Sequence, residues 1–434
     1  AIIAYPPLAV AFMAAVNMGL PSNATPDLQS ELTAYVTRYR QVLFDIDLVV
    51  LIVLTVLATV APAWRNRQAD GRPWPWTTTW RVFLYGIGGF ALYFILYDRL
   101  DLIVGVLLLA SVLALVQGWW RVALAVLAAA IAFKLYPAVL APIWLVASLP
   151  ASTLAAPGAW RDQLRRVLRP LVTRTVFLGA VTGLLFAPFV LVQGTQSLQF
   201  IEFNAQRGVQ LESVPAALAY LLQPLGAPAG IVMRYGSYEI ASPLVASLAM
   251  IAIPFSALAV IVPWLLFVGR ARRDLATVAT APAGRRERGG PTTTARPILL
   301  ATRLPDLVVL AAVATLTASL AAGKVLSPQY LLWLLPLVPL LQGGRSVRAW
   351  QLVFFLMLIL STIIFPGLYQ HPSLETSLMP AIIVRDLILI GLAAWAWLLV
   401  AGTAGRLWPT DGIAAWLRIR PQRDTEQPAM DGAS

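Results

Sequence analysis

The sequence predicts an all-α, polytopic integral membrane protein of about 11 transmembrane helices. Three observations carry that prediction. Apolar residues make up 59% of the 434-residue chain and charged residues only 12%, where soluble domains carry about 25% charged residues. Runs of roughly 17–25 apolar residues alternate with short polar connections, the length at which a helix crosses the hydrocarbon. Alternation with a period of two is weak, and the runs are too long for the strands of an outer-membrane barrel.

The elements follow in order. The chain opens at Ala1 and is apolar from its first residue with no basic n-region before it, so it reads as a fragment or processed chain and not as a signal peptide. Residues 1–20 form a first apolar segment opened by Tyr5-Pro6-Pro7, with proline tolerated in a first helical turn. A polar connection, 21–41, leads to a span near 42–63, where Asp45 and Asp47 are two residues apart and so off one face; both read as interfacial. Arg65, Arg67, Arg72 and Arg81 then mark a basic loop with Trp74, Trp76 and Trp80 as interfacial anchors. Spans near 81–97 and 102–117 are separated by Tyr97-Asp98-Arg99-Leu100-Asp101. Residues 119–149 are apolar except at Lys134-Leu135-Tyr136-Pro137.

A basic segment, 150–174, precedes a span at 175–193. The polar segment 194–240 is the largest candidate for a structured external loop, and its run 214–223 is amphipathic enough to lie on a bilayer surface. After a span near 241–268, residues 269–304 are rich in Arg, Ala, Gly, Pro and Thr, a composition expected to form a disordered cytoplasmic linker, with contact to anionic lipid as an alternative. Spans near 305–322, 329–342, 350–368 and 381–402 complete the membrane part, and 403–434 is a polar tail. The domain reading is therefore a transmembrane module at 1–268, the linker 269–304, C-terminal helices at 305–402 and the tail 403–434.

Charge sets the orientation. Segments 150–174, 269–304, 343–349 and 403–423 are arginine-rich whereas 194–240 and 369–380 are not, which puts the first set and the C-terminus in the cytoplasm. The formal charge of +12 is explained by these loops without nucleic acid. If 119–149 crosses once, the basic loop 64–81 lies outside against the rule; if it folds back at Lys134 to Pro137, that conflict disappears. Charge favours the second, the shortness of the segment the first, and both stay open.

Chemistry is limited by what is absent. No cysteine and one histidine, His371, exclude thiolate chemistry and the usual zinc sites, and no phosphate-binding glycine loop or nucleophile elbow is present. His371 reads as a solvated loop residue, with proton acceptor as the alternative. The chain has two lysines against thirty arginines, and both, Lys134 and Lys324, sit beside apolar segments. An ionisable group at membrane depth marks a functional site unless it snorkels to the interface. Cations at span ends suit an anionic, membrane-embedded substrate, because arginine forks onto phosphate and lysine meets it as a point charge.

Five motifs, Tyr5-Pro6-Pro7-Leu8-Ala9, Arg99-Leu100-Asp101, Lys134-Leu135-Tyr136-Pro137, Arg207-Gly208-Val209-Gln210-Leu211-Glu212-Ser213 and Lys324-Val325-Leu326-Ser327-Pro328-Gln329-Tyr330-Leu331-Leu332-Trp333, occur in this order. Together, over residues 5–340, they resemble the bacterial polyprenyl-phosphate-mannose-dependent mannosyltransferases of the GT-C fold. The family has glutamate before the tyrosine where this chain has Ala4.

The resemblance implies inverting transfer of a hexose, mannose in the family, from a polyprenyl-phosphate-sugar donor to a glycolipid or glycan acceptor at the outer face of the inner (plasma) membrane. It places the general base, an aspartate, in a first external loop upstream of Tyr5, outside this sequence, so no catalytic residue is assigned. Lys134 and Tyr136 are expected to line the entry of the lipid phosphate, and Arg207 to bind a phosphate with Glu212 orienting it or meeting a sugar hydroxyl. Arg99 and Asp101 are expected to form a second pair, and Lys324, Gln329 and Tyr330 to close the pocket. For each, a purely structural role is the competing reading. The residues require no metal or cofactor, although some GT-C enzymes hold a divalent ion in the first loop. Membrane lipid is the other expected partner. A lipid or solute transporter, a flippase and an inactive homologue are the alternative functions; transporters commonly repeat their halves, and no repeat is visible here.

Overall fold

The computed structural model describes residues 5–18, 28–60, 76–150, 153, 160–279, 304–341, 344–370 and 374–403. Residues 64–75 of the basic loop, residues 280–303, His371 and the tail beyond 403 lie outside them. Fourteen helices and one hairpin are used below: α1 Pro7–Asn17, α2 Leu28–Val60, α3 Trp76–Ala91, α4 Tyr93–Leu96, α5 Asp101–Val116, α6 Trp120–Phe133, α7 Ala141–Ala147, α8 Trp160–Gln193, α9 Gln199–Gln206, α10 Val214–Leu221, β1 Gly230–Arg234, β2 Ser237–Ala241, α11 Val245–Ala279, α12 Leu304–Ala322, α13 Arg345–Thr362 and α14 Leu374–Ala401.

Helix dominates, as the composition requires, but the chain is not purely α. β1 and β2 form a two-stranded antiparallel sheet with Arg234 opposite Ser237, so Tyr235 and Gly236 make the turn, both at positive φ (51° and 70°). Among the described residues, four helical stretches are long and apolar enough to cross a bilayer: Arg165–Gln206, Val245–Leu275, Arg345–Gly367 and Leu378–Ala401. Large apolar side chains along α11, among them Met250, Ile253, Phe255 and Leu265, are exposed, which water would not tolerate and lipid would. The other expected spans fall on shorter helices, except α2, which runs 33 residues. α5, of 16 residues, reaches about 24 Å against the ~30 Å of hydrocarbon.

Four boundaries differ from the sequence expectation. α2 begins at Leu28, inside the polar connection expected over 21–41. α8 and α11 run 34 and 35 residues, about 50 Å each, and so carry their helices well past the hydrocarbon. α8 thereby takes in most of the basic segment 150–174, and α11 takes in the first eleven residues of the expected linker, where Arg270 pairs with Asp274 one turn on. The fourth is 329–342, which is not a regular span. It is built of 3₁₀ turns, Pro328–Trp333 and Val338–Leu340, under prolines 328, 336 and 339, and residues 330–341 are buried in protein, one of the settings in which irregular backbone is tolerated at membrane depth.

Side-chain contacts show that 119–149 folds back on itself. Trp144 donates to Ser111 Oγ at 2.6 Å, and that hydroxyl donates to Ala123 O at 2.6 Å. The Arg174 guanidinium binds Ser148 O at 3.0 Å and lies 4.7 Å from the Trp120 ring. The end of α7 therefore lies level with the start of α6, and the chain reverses at Lys134–Pro137. α6 ends there because Pro137 disfavours continuing helix, and the turn is a 3₁₀ segment, Tyr136–Leu140.

Candidate functional site

The central group is assembled by a helical hairpin. α5 ends in a glycine cap: Gly118 has φ 83° and Trp119 N binds Ala114 O at 2.9 Å. α6 then runs back along α5. Asp101 opens α5 and Lys134 caps the C-terminus of α6 through Lys134 N to Ala130 O at 2.9 Å, so both charges sit at the helix ends that favour their sign. Two antiparallel helices of nearly equal length bring those ends together.

Lys134 Nζ donates to Asp101 Oδ1 at 2.6 Å, and Trp333 Nε1 donates to the same oxygen at 2.6 Å. The Trp333 ring lies between Tyr136 and Tyr330, with centroid separations of 4.4 and 4.7 Å. Lys134 Nζ is 4.6 Å from the Tyr330 ring centroid and 5.3 Å from that of Trp333, within cation–π range. The Asp101 side chain is 3% exposed and that of Lys134 19%, so Lys134 is the less deeply buried residue of the pair. Tyr5 and Tyr39 are electrostatic neighbours of this ion pair.

Sequence reading and structure differ here in three ways. Arg99 does not pair with Asp101: it is exposed, while Asp101, first in its helix, faces inward and is taken by Lys134 and Trp333. Tyr330 belongs to the Lys134 group and Lys324 does not, because the extended residues between them separate the two. Gln329 is half-buried and joins neither. Asp47, expected at the interface, accepts from Tyr97 OH at 2.9 Å and from Tyr85 OH, partners its sequence position does not reveal.

A second group lies in the segment between α8 and α11. Residues 207–210 run along β2 as a third extended stretch, with Leu211 N to Tyr238 O at 2.9 Å and Ile240 N to Val209 O at 3.0 Å, and the chain then turns at 210–213 with Ser213 N to Gln210 O at 2.9 Å. Lys324 holds the start of this stretch. Its Nζ donates to Arg207 O at 2.5 Å and to Ala205 O at 3.1 Å, and its carbonyl accepts Gln210 N at 3.0 Å. Burial pushes the Lys324 ammonium below its ordinary pKa. Arg207 donates to Ser237 Oγ at 3.1 Å. α10 does not simply lie on a surface: Ala216 and Ala219 pack with Val209, Ile240 and Leu248.

The third group corrects the role expected of Glu212. It does not orient Arg207; it is 2% exposed and accepts from Arg385 Nη1 at 2.6 Å and from Tyr369 OH at 3.1 Å. Arg385 also binds Asp386 Oδ1 at 2.8 Å and the Glu212 carbonyl. One guanidinium thus serves two buried carboxylates, and burial outweighs it, raising the Glu212 carboxyl above the ordinary range. Burial and the Glu212 charge raise the Tyr369 hydroxyl as well. Sequence reasoning passed over Arg385 and Asp386, although an ionisable pair within an apolar run was the available signal. It also passed over Glu239, which nothing in the local sequence marks.

No family model, no curated protein and no solved structure matches the chain.

Proposed function

We propose that the chain is a membrane glycosyltransferase of GT-C type with about 11 spans, moving a hexose, mannose by resemblance, from a polyprenyl-phosphate-sugar donor to a glycolipid or glycan acceptor at the outer face of the plasma membrane. The observation that carries this reading is convergence. Tyr5, Asp101, Lys134, Tyr136, Tyr330 and Trp333 come from four separated motifs of the sequence and meet in one group at the end of the α5–α6 hairpin.

The chemistry needs a cation where the phosphate leaves. In an inverting displacement the acceptor hydroxyl attacks the anomeric carbon, the bond to the lipid phosphate breaks, and negative charge builds on the phosphate oxygens. A prepositioned ammonium stabilises that charge most where water is excluded. Asp101 spends its oxygen on Lys134 and Trp333, which fixes the ammonium against the aromatic rings and makes Asp101 a positioning residue and not the base. The base lies in the first external loop in this reading, and the basic ends of α8 and α11 lie in the cytoplasm together with the C-terminus.

A transporter or flippase is the second reading, favoured by the two broken segments, Tyr136–Leu140 and Pro328–Leu340, since interrupted helices line many transport sites. Membranes containing the full-length protein distinguish the two. The transferase reading expects label to move from radiolabelled polyprenyl-phosphate-mannose to an acceptor, with loss in Lys134→Ala. Label crossing sealed vesicles without a new glycosidic bond would favour the transporter, and undiminished transfer by Lys134→Ala would remove Lys134 from the site.

A further inference from the structure

We infer that the cleft between Gln206, Gly208, Arg234, Tyr235 and Glu239 is a saccharide-binding site, the place where the glycan of an acceptor docks; its role as an acceptor site rests on the transferase reading above. The cleft encloses about 410 Å³, within the ~300–1,000 Å³ typical of small-molecule sites. It lies on the segment between α8 and α11, apart from the Lys134 group.

Its floor is a carboxylate. Glu239 is 4% exposed, yet it pairs with no cation among the described residues. One oxygen, Oε1, accepts Gly208 N at 3.1 Å. The other, Oε2, lies 2.6 Å from where a side chain at residue 208 would begin, so glycine is what leaves room for the carboxylate at this edge of the cleft. The second oxygen has no hydrogen-bond partner among the described residues and is open to the cleft, where O–H or N–H donors of a ligand can take the place of water. Vicinal hydroxyls of a pyranose supply them as short charge-assisted bonds.

The rest of the lining fits the same chemistry. Tyr235 stands at the hairpin turn, held edge-on by Phe203 at 5.6 Å and 84°, and its ring remains 43% exposed; an amphipathic aromatic of this kind suits the C–H face of a sugar. Gln206 and Arg234 are exposed at the rim as hydrogen-bonding groups. A phosphate fits less well. Lys324 is turned onto two carbonyls and Arg207 onto Ser237 Oγ, its Nε left without a partner among the described residues, and a phosphate in the cleft would meet the Glu239 carboxylate.

The test uses the full-length protein in lipid nanodiscs without donor, titrated with methyl α-D-mannopyranoside and methyl α-D-glucopyranoside and followed by saturation-transfer NMR. Saturable binding is expected with at least one glycoside. Glu239→Gln, which keeps the acceptor for Gly208 N, should weaken it at least about tenfold, the scale of one lost charge-assisted bond. Tyr235→Asn, which tolerates the left-handed turn position, should weaken it several-fold, and Gly179→Ala, with nothing within 4 Å of the added methyl, should leave it unchanged. Absence of saturable binding, equal affinity in both cleft variants, or inorganic phosphate binding that Arg234→Ala abolishes while glycosides do not bind would each overturn the proposal. Because no donor is present, glycoside binding without transfer strikes only the transferase reading, and transfer without glycoside binding strikes only the cleft.

Discussion

Replacing Lys134 by methionine and Asp101 by asparagine, singly and together, separates a catalytic ion pair from one that merely holds helices. Asp101 is 3% exposed and its Oδ1 accepts from both Lys134 and Trp333 at 2.6 Å. Lys134→Met strands a buried carboxylate with one indole donor, and breaking a buried pair this way costs about 3–5 kcal/mol. Because Lys134 is 19% exposed, water can replace part of the lost contact, which places the loss at about 3 kcal/mol, the lower end of that range. Asp101→Asn leaves the ammonium free to turn outward and retains an amide oxygen for Trp333, so it should cost less, about 1–2 kcal/mol. In the double variant no charge is buried and the indole keeps its acceptor; stability should return to within about 1 kcal/mol of the parent. Thermal unfolding in one detergent measures the cycle, and transfer of radiolabelled sugar in membranes measures function. The expected result is a double variant that is folded and inactive. Recovery of both stability and transfer in the double variant would refute the assignment of Lys134 to the site and leave a structural ion pair.

Three further outcomes follow from the same physical reasoning. Arg385→Met leaves Glu212 and Asp386 buried without their cation and should destabilise the protein by about 3–5 kcal/mol, with Glu212→Gln in the same chain recovering part of the loss; limited proteolysis between α8 and α11 reports it as earlier cleavage. Burial holds the Glu212 carboxyl above its ordinary value of 4.5, so the folded state binds the extra proton, and the stability Glu212 contributes is full below that value and declines as pH rises through the folded one. Unfolding midpoints across that range should fall less steeply in Glu212→Gln than in the parent. Gly105→Ala sets a methyl 2.5 Å from Leu332 O and 3.2 Å from the Pro336 ring, forcing the 3₁₀ segment off α5 at about 1–3 kcal/mol; quenching of Trp333 fluorescence should change with it, whereas Gly179→Ala, with nothing within 4 Å, should be silent.

The sequence by itself determined the class of the molecule, because hydrophobic run length and charge content act through solvent transfer and need no knowledge of contacts. It also located the break at Lys134-Leu135-Tyr136-Pro137, since proline and a lone lysine interrupt an apolar run visibly, and it marked Asp101, Lys134, Tyr136 and Tyr330 as residues of interest. Only the tertiary structure decided who meets whom. Asp101 is nearer Arg99 in sequence, yet the hairpin returns the end of α6 to the start of α5 and gives it Lys134, 33 residues on. Glu212 lies five residues from Arg207 but is claimed by Arg385, 173 residues away. In each case packing brings a distant cation to the buried carboxylate. Helix ends in 3₁₀ turns, the hairpin at Gly230–Ala241 and the carboxylate of Glu239 depend on the same long-range packing, which leaves no periodic trace in the residues that form it.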